Sequence, residues 1–273
     1  MKGKIVLITG ATSGLGKETA RALARLGATI VMTTRDTQKG EQIKQELIAS
    51  TQNKNIDVML CDLSSFVSIR KFCAEFLQKY NALHILINNA GIWDFKRRAS
   101  KDGIEETFAV NYLAPFLMTN LLLERLKESA PSRIVNVASG LHSGNIQFDD
   151  LELKKSFSGL KAYNHSKLAV ILFTRLLAQK LEGTGVIVNC ANPGMTRTNL
   201  GHDAGVASRL VFKIMGKPPV KGAETAVYLA SDPNLTISGE YFEKKQVERI
   251  NPESYDMDVA NKLWDVSTKY VGL

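Results

Sequence analysis

The sequence predicts an α/β protein built as a single doubly wound parallel sheet with helices on both faces, and three observations carry that expectation. Short β-branched runs recur at Ile5–Ile8, Thr29–Thr33, Ile56–Leu60, His84–Ile87, Arg133–Val137 and Val186–Asn189. Stretches of helical period fill the gaps between them, and strands alternating with helices form βαβ units whose right-handed crossovers build a parallel sheet. The 273 residues, 44% hydrophobic and 23% charged, supply a core of the size such a fold needs. No repeat, low-complexity stretch or Pro/Gly/Ser-rich linker divides them, so residues 1–273 read as one domain.

Charge and composition narrow the function classes. No window approaches the about 18 consecutive apolar residues of a membrane helix, and Met1-Lys2-Gly3-Lys4 leads directly into a strand. Neither a signal peptide nor an anchor is expected. Cys61, Cys73 and Cys190 are odd in number, far apart and set in apolar segments, which points to buried thiols, a reducing compartment and a cytoplasmic location. The net charge of +8 arises before residue 200, since residues 200–273 hold 9 basic and 10 acidic side chains. The basic residues are scattered among acids and the densest run, Lys96-Arg97-Arg98, is short, so no nucleic-acid partner is expected. His84, His142, His165 and His202 lack ligand spacing, and no metal is expected. Trp93 and Trp264 read as packing residues.

Along the chain, the first strand (Lys4–Thr9) runs into Gly10-Ala11-Thr12-Ser13-Gly14-Leu15-Gly16, and an Ala- and Leu-rich helix follows until Gly27. A backbone without Cβ atoms can turn tightly and approach a pyrophosphate, whose charge meets unpaired N–H groups at the helix start. Strand, glycine turn and helix in this order predict a dinucleotide site built from Gly10, Thr12, Ser13, Gly14, Leu15 and Gly16. The second strand ends in Thr34-Arg35-Asp36. An acid at that tip suits the ribose of NAD, whereas the planar fork of Arg35 suits a 2′-phosphate, so NADP(H) is favoured over NAD(H). The plainer alternative has Arg35 merely cap the sheet edge or pair with Asp36. After the third strand, Asp62 can accept from an adenine amino group with Leu63 beside it. After the fourth, Asn89, Ala90 and Gly91 form a small-residue wall behind Asn88. Singly these are ordinary turn residues; their shared position at strand C-terminal ends favours one ligand path.

The catalytic signal is Tyr163-Asn164-His165-Ser166-Lys167. A spacing of four places Tyr163 and Lys167 one turn apart on one helix face, where the ammonium can stabilise a phenolate and lower its pKa. Ser139, just past the strand Arg133–Val137, can hydrogen-bond a carbonyl or hydroxyl oxygen. Two irregular segments, near 141–159 and 201–219, also follow strand ends and are expected to shape a substrate pocket. Within the second, Val206, Leu210, Val211, Ile214 and Met215 recur at helical spacing, which suits an apolar lid or plain packing equally.

Taken together, Thr9-Gly10-x-x-x-Gly14-x-Gly16, Asn88-Asn89-Ala90-Gly91, Asn111, Ser139, Tyr163-x-x-x-Lys167 and Pro193-Gly194 resemble the classical short-chain dehydrogenases/reductases over nearly the whole chain. The resemblance implies a Rossmann fold and an active tetrad of Asn111, Ser139, Tyr163 and Lys167. In it Tyr163 is the general acid/base, Lys167 its modifier and a ribose ligand, Ser139 the substrate orienter, and Asn111 the holder of a water leading to Lys167. It further implies that Pro193, Gly194 and Thr198 line the nicotinamide. Twenty-four positions separate Ser139 from Tyr163, longer than is usual in that family. The inserted segment Leu141–Leu151 and the tail Lys262-Leu263-Trp264-Asp265-Val266-Ser267 resemble its retinol dehydrogenase-like branch, although Asn192 stands where that branch commonly has His. The implied function is NADP(H)-dependent interconversion of a hydrophobic alcohol and its aldehyde or ketone. A non-catalytic NADP(H)-sensing regulator is the alternative. Relatives associate through the helix carrying the tyrosine, so the resemblance also implies a homodimer or homotetramer.

Overall fold

Alternation along each strand sets the layers. In β1 (Ile5–Ile8) Leu7 faces one side of the sheet while Val6 and Ile8 face the other, and Leu86 against Ile85 and Ile87 repeats the pattern in β4 (Ile85–Asn88). Both faces are therefore apolar, as a buried parallel sheet requires. The computed structural model describes residues 1–196 and 216–273. Among these, β2 (Thr29–Thr34), β3 (Ile56–Leu60), β5 (Ser132–Val137), β6 (Val186–Asn192), β7 (Tyr241–Glu243) and β8 (Gln246–Val247) complete one sheet in the order β3-β2-β1-β4-β5-β6-β7-β8. All neighbours pair in parallel except β8, which runs antiparallel to β7.

The helices cover both sides. α1 (Gly14–Arg25), α2 (Thr37–Thr51) and α7 (Pro219–Ser231) pack on the Ile8 face. α3 (Phe66–Lys79), α5 (Ala114–Glu128), α6 (Gly159–Lys180) and α8 (Met257–Val271) pack on the Leu7 face. A short turn α4 (Glu106–Phe108) and a π-helical segment, Ala109–Leu113, lead into α5. The strand order reverses between β1 and β4, and that reversal opens a crevice beyond the strand C-terminal ends.

Two expectations need correction. Strands β7 and β8 were not foreseen: they are short, and β7 exists because Cys190–Asn192 pair with Tyr241–Glu243, which also lengthens β6. The second irregular segment ends sooner than 219, because Pro219 already opens α7, where a proline at the first helical position needs no N–H partner. The lid residues Val206, Leu210, Val211, Ile214 and Met215, like Thr198, lie outside the described residues. Of the first irregular segment, expected near 141–159, residues 141–158 lack regular structure and Gly159 already opens α6.

The C-terminal helix α8 covers α5 and α6. Trp264 lies edge-on to Phe116 at 5.0 Å and 5.8 Å from Phe173, and the Tyr112 and Ser267 hydroxyls meet at 2.7 Å. Among the described residues α6 is buried over most of its length, so the helix to which the resemblance assigns an oligomer contact is packed against the chain's own tail. Cys61, Cys73 and Cys190 are buried free thiols. No described helix is long and apolar enough to cross a membrane.

Candidate active site

A cleft of about 390 Å³ opens at the strand reversal. Its lining includes Gly10, Thr12, Ser13, Gly14, Leu15, Gly16, Arg35, Asp62, Leu63, Asn89, Ala90, Gly91, Tyr163, Lys167 and Pro193, so the sequence-predicted path is one surface. The glycines divide the work. A Cβ on Gly16 would stand 2.4 Å from both Asn89 Nδ2 and the Gly10 carbonyl oxygen, so this position keeps the turn packed against the Asn89 wall. Gly14, at φ +52°, faces open space with nothing within 4 Å. It opens α1, whose N-cap Ser13 makes no side-chain capping bond, so backbone N–H groups there stay available to an anion.

Asn89 is fixed by donating from Nδ2 to the Thr9 and Gly10 carbonyls at 2.8 and 3.2 Å. The Thr9 hydroxyl accepts from the Asn89 and Ala90 amides at 3.0 Å each. These four bonds tie the end of β4 to that of β1.

At the far end, Asp36 accepts from the Lys39 backbone amide at 3.0 Å and caps α2. Arg35 forms no ion pair among the described residues, so the Arg35–Asp36 pairing does not occur. Lys39, one helical turn beyond Arg35, also lines the cleft. Sequence reasoning missed it, although position four after Arg35 on a capped helix was a usable signal. Glu106 lines the same end; burial and then Asp94 raise its pKa, while Arg98 and Arg35 oppose the rise. Asp62 accepts from the Ser64 amide and hydroxyl at 3.0 and 2.8 Å and pairs with Lys101 at 2.8 Å. Burial pushes its carboxyl upward, but the Lys101 and Ser64 bonds prevail and hold it below the ordinary range.

Of the tetrad, Tyr163 and Lys167 line the inner end, whereas Asn111 and Ser139 are not among its lining residues. Lys167 Nζ donates to the Val137 carbonyl at 2.8 Å and lies 5.7 Å from the centre of the Tyr163 ring. Burial lowers the Lys167 ammonium to about 8. The expectation that Lys167 lowers the Tyr163 phenol is not met in this arrangement. Burial raises it, and the opposing pull comes from a side-chain bond with Ser139. Ser139 Oγ also accepts from the Leu141 amide at 3.1 Å. Asn111, in the π-helical segment, accepts from the Ile92 amide at 2.8 Å and donates to the Ile92 carbonyl and Ser166 Oγ at 2.9 and 3.1 Å. Its side chain therefore clamps the loop after β4. Asn192 donates to Glu243 at 2.8 Å and accepts from the Gly194 amide at 2.9 Å, which fixes the Pro193-Gly194 turn beside the cleft. Trp93, read as mere packing, instead stacks on Tyr163 with ring centres 4.8 Å apart.

The donor set suits a dinucleotide: an open glycine turn at a helix start, two cations at one end, and a buried Tyr–Lys pair at the other. A sequence model of the family described as short chain dehydrogenase matches residues 4–207. Human retinol dehydrogenase 14 is 46% identical, with 100% of this chain and 88% of that protein aligned. Human retinol dehydrogenase 13 is 40% identical over 99% of this chain and 85% of its own length, and mouse retinol dehydrogenase 12 is 42% identical over 99% and 87%. Among solved structures, an uncharacterised protein from Mycobacterium paratuberculosis superposes with a TM-score of 0.82 at 32% identity, covering 99% of this chain and 94% of its own. A short chain dehydrogenase/reductase family protein gives 0.69 at 28%, covering 88% and 95%. A sensor without chemistry finds no support in these likenesses.

Proposed function

The chain belongs to the short-chain dehydrogenases, in their retinol dehydrogenase-like branch, and from that premise we propose an NADP(H)-dependent oxidoreductase that interconverts a hydrophobic alcohol and its aldehyde or ketone. One observation carries the reading: a single cleft has Arg35 and Lys39 at one end and Tyr163 with Lys167 at the other. Asp36, the acid that would favour an unphosphorylated ribose, is engaged as a helix cap. Two cations beside a capped acid suit a 2′-phosphate.

A nicotinamide held beside Tyr163 and Pro193 would supply or accept the hydride. The chain's own groups do the rest. Tyr163 transfers the proton to or from the substrate oxygen through its hydroxyl. Ser139, whose side chain opposes the effect of burial on Tyr163, orients that oxygen. Lys167, cationic in the main below about pH 8, holds the bound ribose beside Tyr163. Asn111 positions the loop that closes the cleft on this side.

The test is a screen of aldehydes, ketones and alcohols against NADPH, NADH and their oxidised forms, followed by reduced-nicotinamide absorbance. Turnover with NADPH, abolished by Tyr163→Phe while cofactor binding persists, is the expected result. Cofactor binding without turnover of any compound would replace the enzyme with the sensor.

A further inference from the structure

The loop after β4 is anchored twice, and one aromatic residue stands between the anchors. Upstream, Asn111 grips the Ile92 backbone at both N–H and carbonyl, at 2.8 and 2.9 Å. Downstream, the loop presses on the first turn of α6: a Cβ on Gly159 would stand 2.3 Å from the Asp94 carbonyl oxygen and 2.9 Å from Phe95 Cα. Gly159 lies one turn ahead of Tyr163 on the same helix. Trp93, held between these anchors, stacks on Tyr163 at 4.8 Å and 22°, and Phe95 stacks on Trp93 at 5.3 Å and 19°.

We propose that Trp93 is a positioning residue for Tyr163, its indole fixing the plane of the phenol and keeping water from that side. The proposal rests on Tyr163 being the proton-transferring group. The terminal torsion of a tyrosine is broad, so a ring without a stacked neighbour can rock away from a reacting oxygen. The face of an indole also carries negative potential, which disfavours a phenolate beside it. Trp93 thus acts in the same direction as burial and favours the protonated phenol. Among the described residues, the titratable groups about Tyr163 include Lys167 on its own helix and Tyr241 on β7, with Cys190 of β6 near Lys167. Of these Lys167 is the cation, and its Nζ is turned to the Val137 carbonyl. At the phenol it is Ser139 that opposes burial, so Trp93 and Ser139 act in opposite directions on its proton.

The test titrates phenolate absorbance as the difference between the parent and Tyr163→Phe, repeated with Trp93→Leu and Trp93→Phe. Without the ring face, Trp93→Leu should move the Tyr163 midpoint down by about one pH unit, while Trp93→Phe stays near the parent. At pH 7 kcat for carbonyl reduction should fall about tenfold in Trp93→Leu with KM for NADPH within about twofold, and Trp93→Phe should recover it. An unmoved midpoint in Trp93→Leu, or a phenylalanine variant no better than the leucine one, overturns the proposal. If Trp93→Leu does not fold, Trp93→Met serves: it fills more of the indole's space without an aromatic face, and an unmoved midpoint there overturns the idea equally. Should the parent reduce no carbonyl at all, the enzymatic reading fails, while the phenolate titration still decides the role of Trp93.

Discussion

Asp36 accepts the Lys39 backbone amide at 3.0 Å, so the acid nearest the end of β2 is committed to capping α2 while the Arg35 and Lys39 side chains share the cleft. A charge-assisted bond to a phosphate contributes about 1.5–3 kcal/mol, which is about 10- to 150-fold in affinity. Arg35→Ala should weaken NADP(H) by that factor, and Lys39→Ala by less, because an ammonium lacks the bidentate fork. Binding of NAD(H) should change little in either variant. Calorimetric titration of both nucleotides checks this; equal losses for NAD(H) and NADP(H) would remove the 2′-phosphate from the explanation.

The glycine turn separates stability from binding. At Gly16 a Cβ would collide with Asn89 Nδ2 and the Gly10 carbonyl, both at 2.4 Å, so Gly16→Ala should pull the ends of β1 and β4 apart and lower Tm by many degrees. At Gly14 the surroundings are open, and alanine meets only the cost of φ +52°, about 1–2 kcal/mol. Gly14→Ala should therefore fold and lose mainly nucleotide affinity, since its methyl enters the space where an anion would meet the start of α1. Thermal melts with and without NADPH distinguish the two positions.

How much of this was legible beforehand follows from the range of each signal. The six parallel strands and the glycine turn were readable because periodicity and turn chemistry act over a few residues. Strand β7 was not, since Tyr241–Glu243 owes its state to partners some fifty positions earlier on β6. The same holds inside the site. Tyr163 and Lys167 were readable from helical spacing, but whether the ammonium reaches the phenol oxygen or, as here, the Val137 carbonyl depends on a strand thirty residues away. Trp93 gave no signal at all, because its place above Tyr163 is set by the grip of Asn111 on Ile92 and by the missing side chain of Gly159.

Lys167 is held at a cost to folding. Its ammonium titrates at about 8 in the folded chain against 10.5 ordinarily, so the unfolded chain binds more protons between those values. Stability should rise with pH across that window, and below about pH 8 the penalty is fully present. The shift corresponds to about 3 kcal/mol, less about 1 kcal/mol for the bond to Val137 that its removal forfeits. Lys167→Met should therefore unfold at higher denaturant than the parent at pH 7 while losing oxidoreductase activity. A destabilised methionine variant would show that the ammonium contributes net binding energy to the fold.

His165 makes the opposite end of the pH scale informative. It is buried on α6, accepts the Gln147 amide at 3.3 Å and stacks on Phe108 at 5.3 Å, so it holds the inserted segment after Ser139 onto the catalytic helix. Burial, with Lys161 adding to it, lowers its imidazole from 6.5 to about 4. Between those values the unfolded chain binds the extra proton, so stability falls as pH drops from about 6.5 toward 4, by at most about 3 kcal/mol. His165→Gln keeps an acceptor for Gln147 and does not titrate. Urea midpoints at pH 7, 5.5 and 4.5 should thus decline less steeply in that variant than in the parent, with the carboxylates' acid sensitivity common to both. Parallel declines would place the acid sensitivity elsewhere in the fold and leave His165 as a packing residue only.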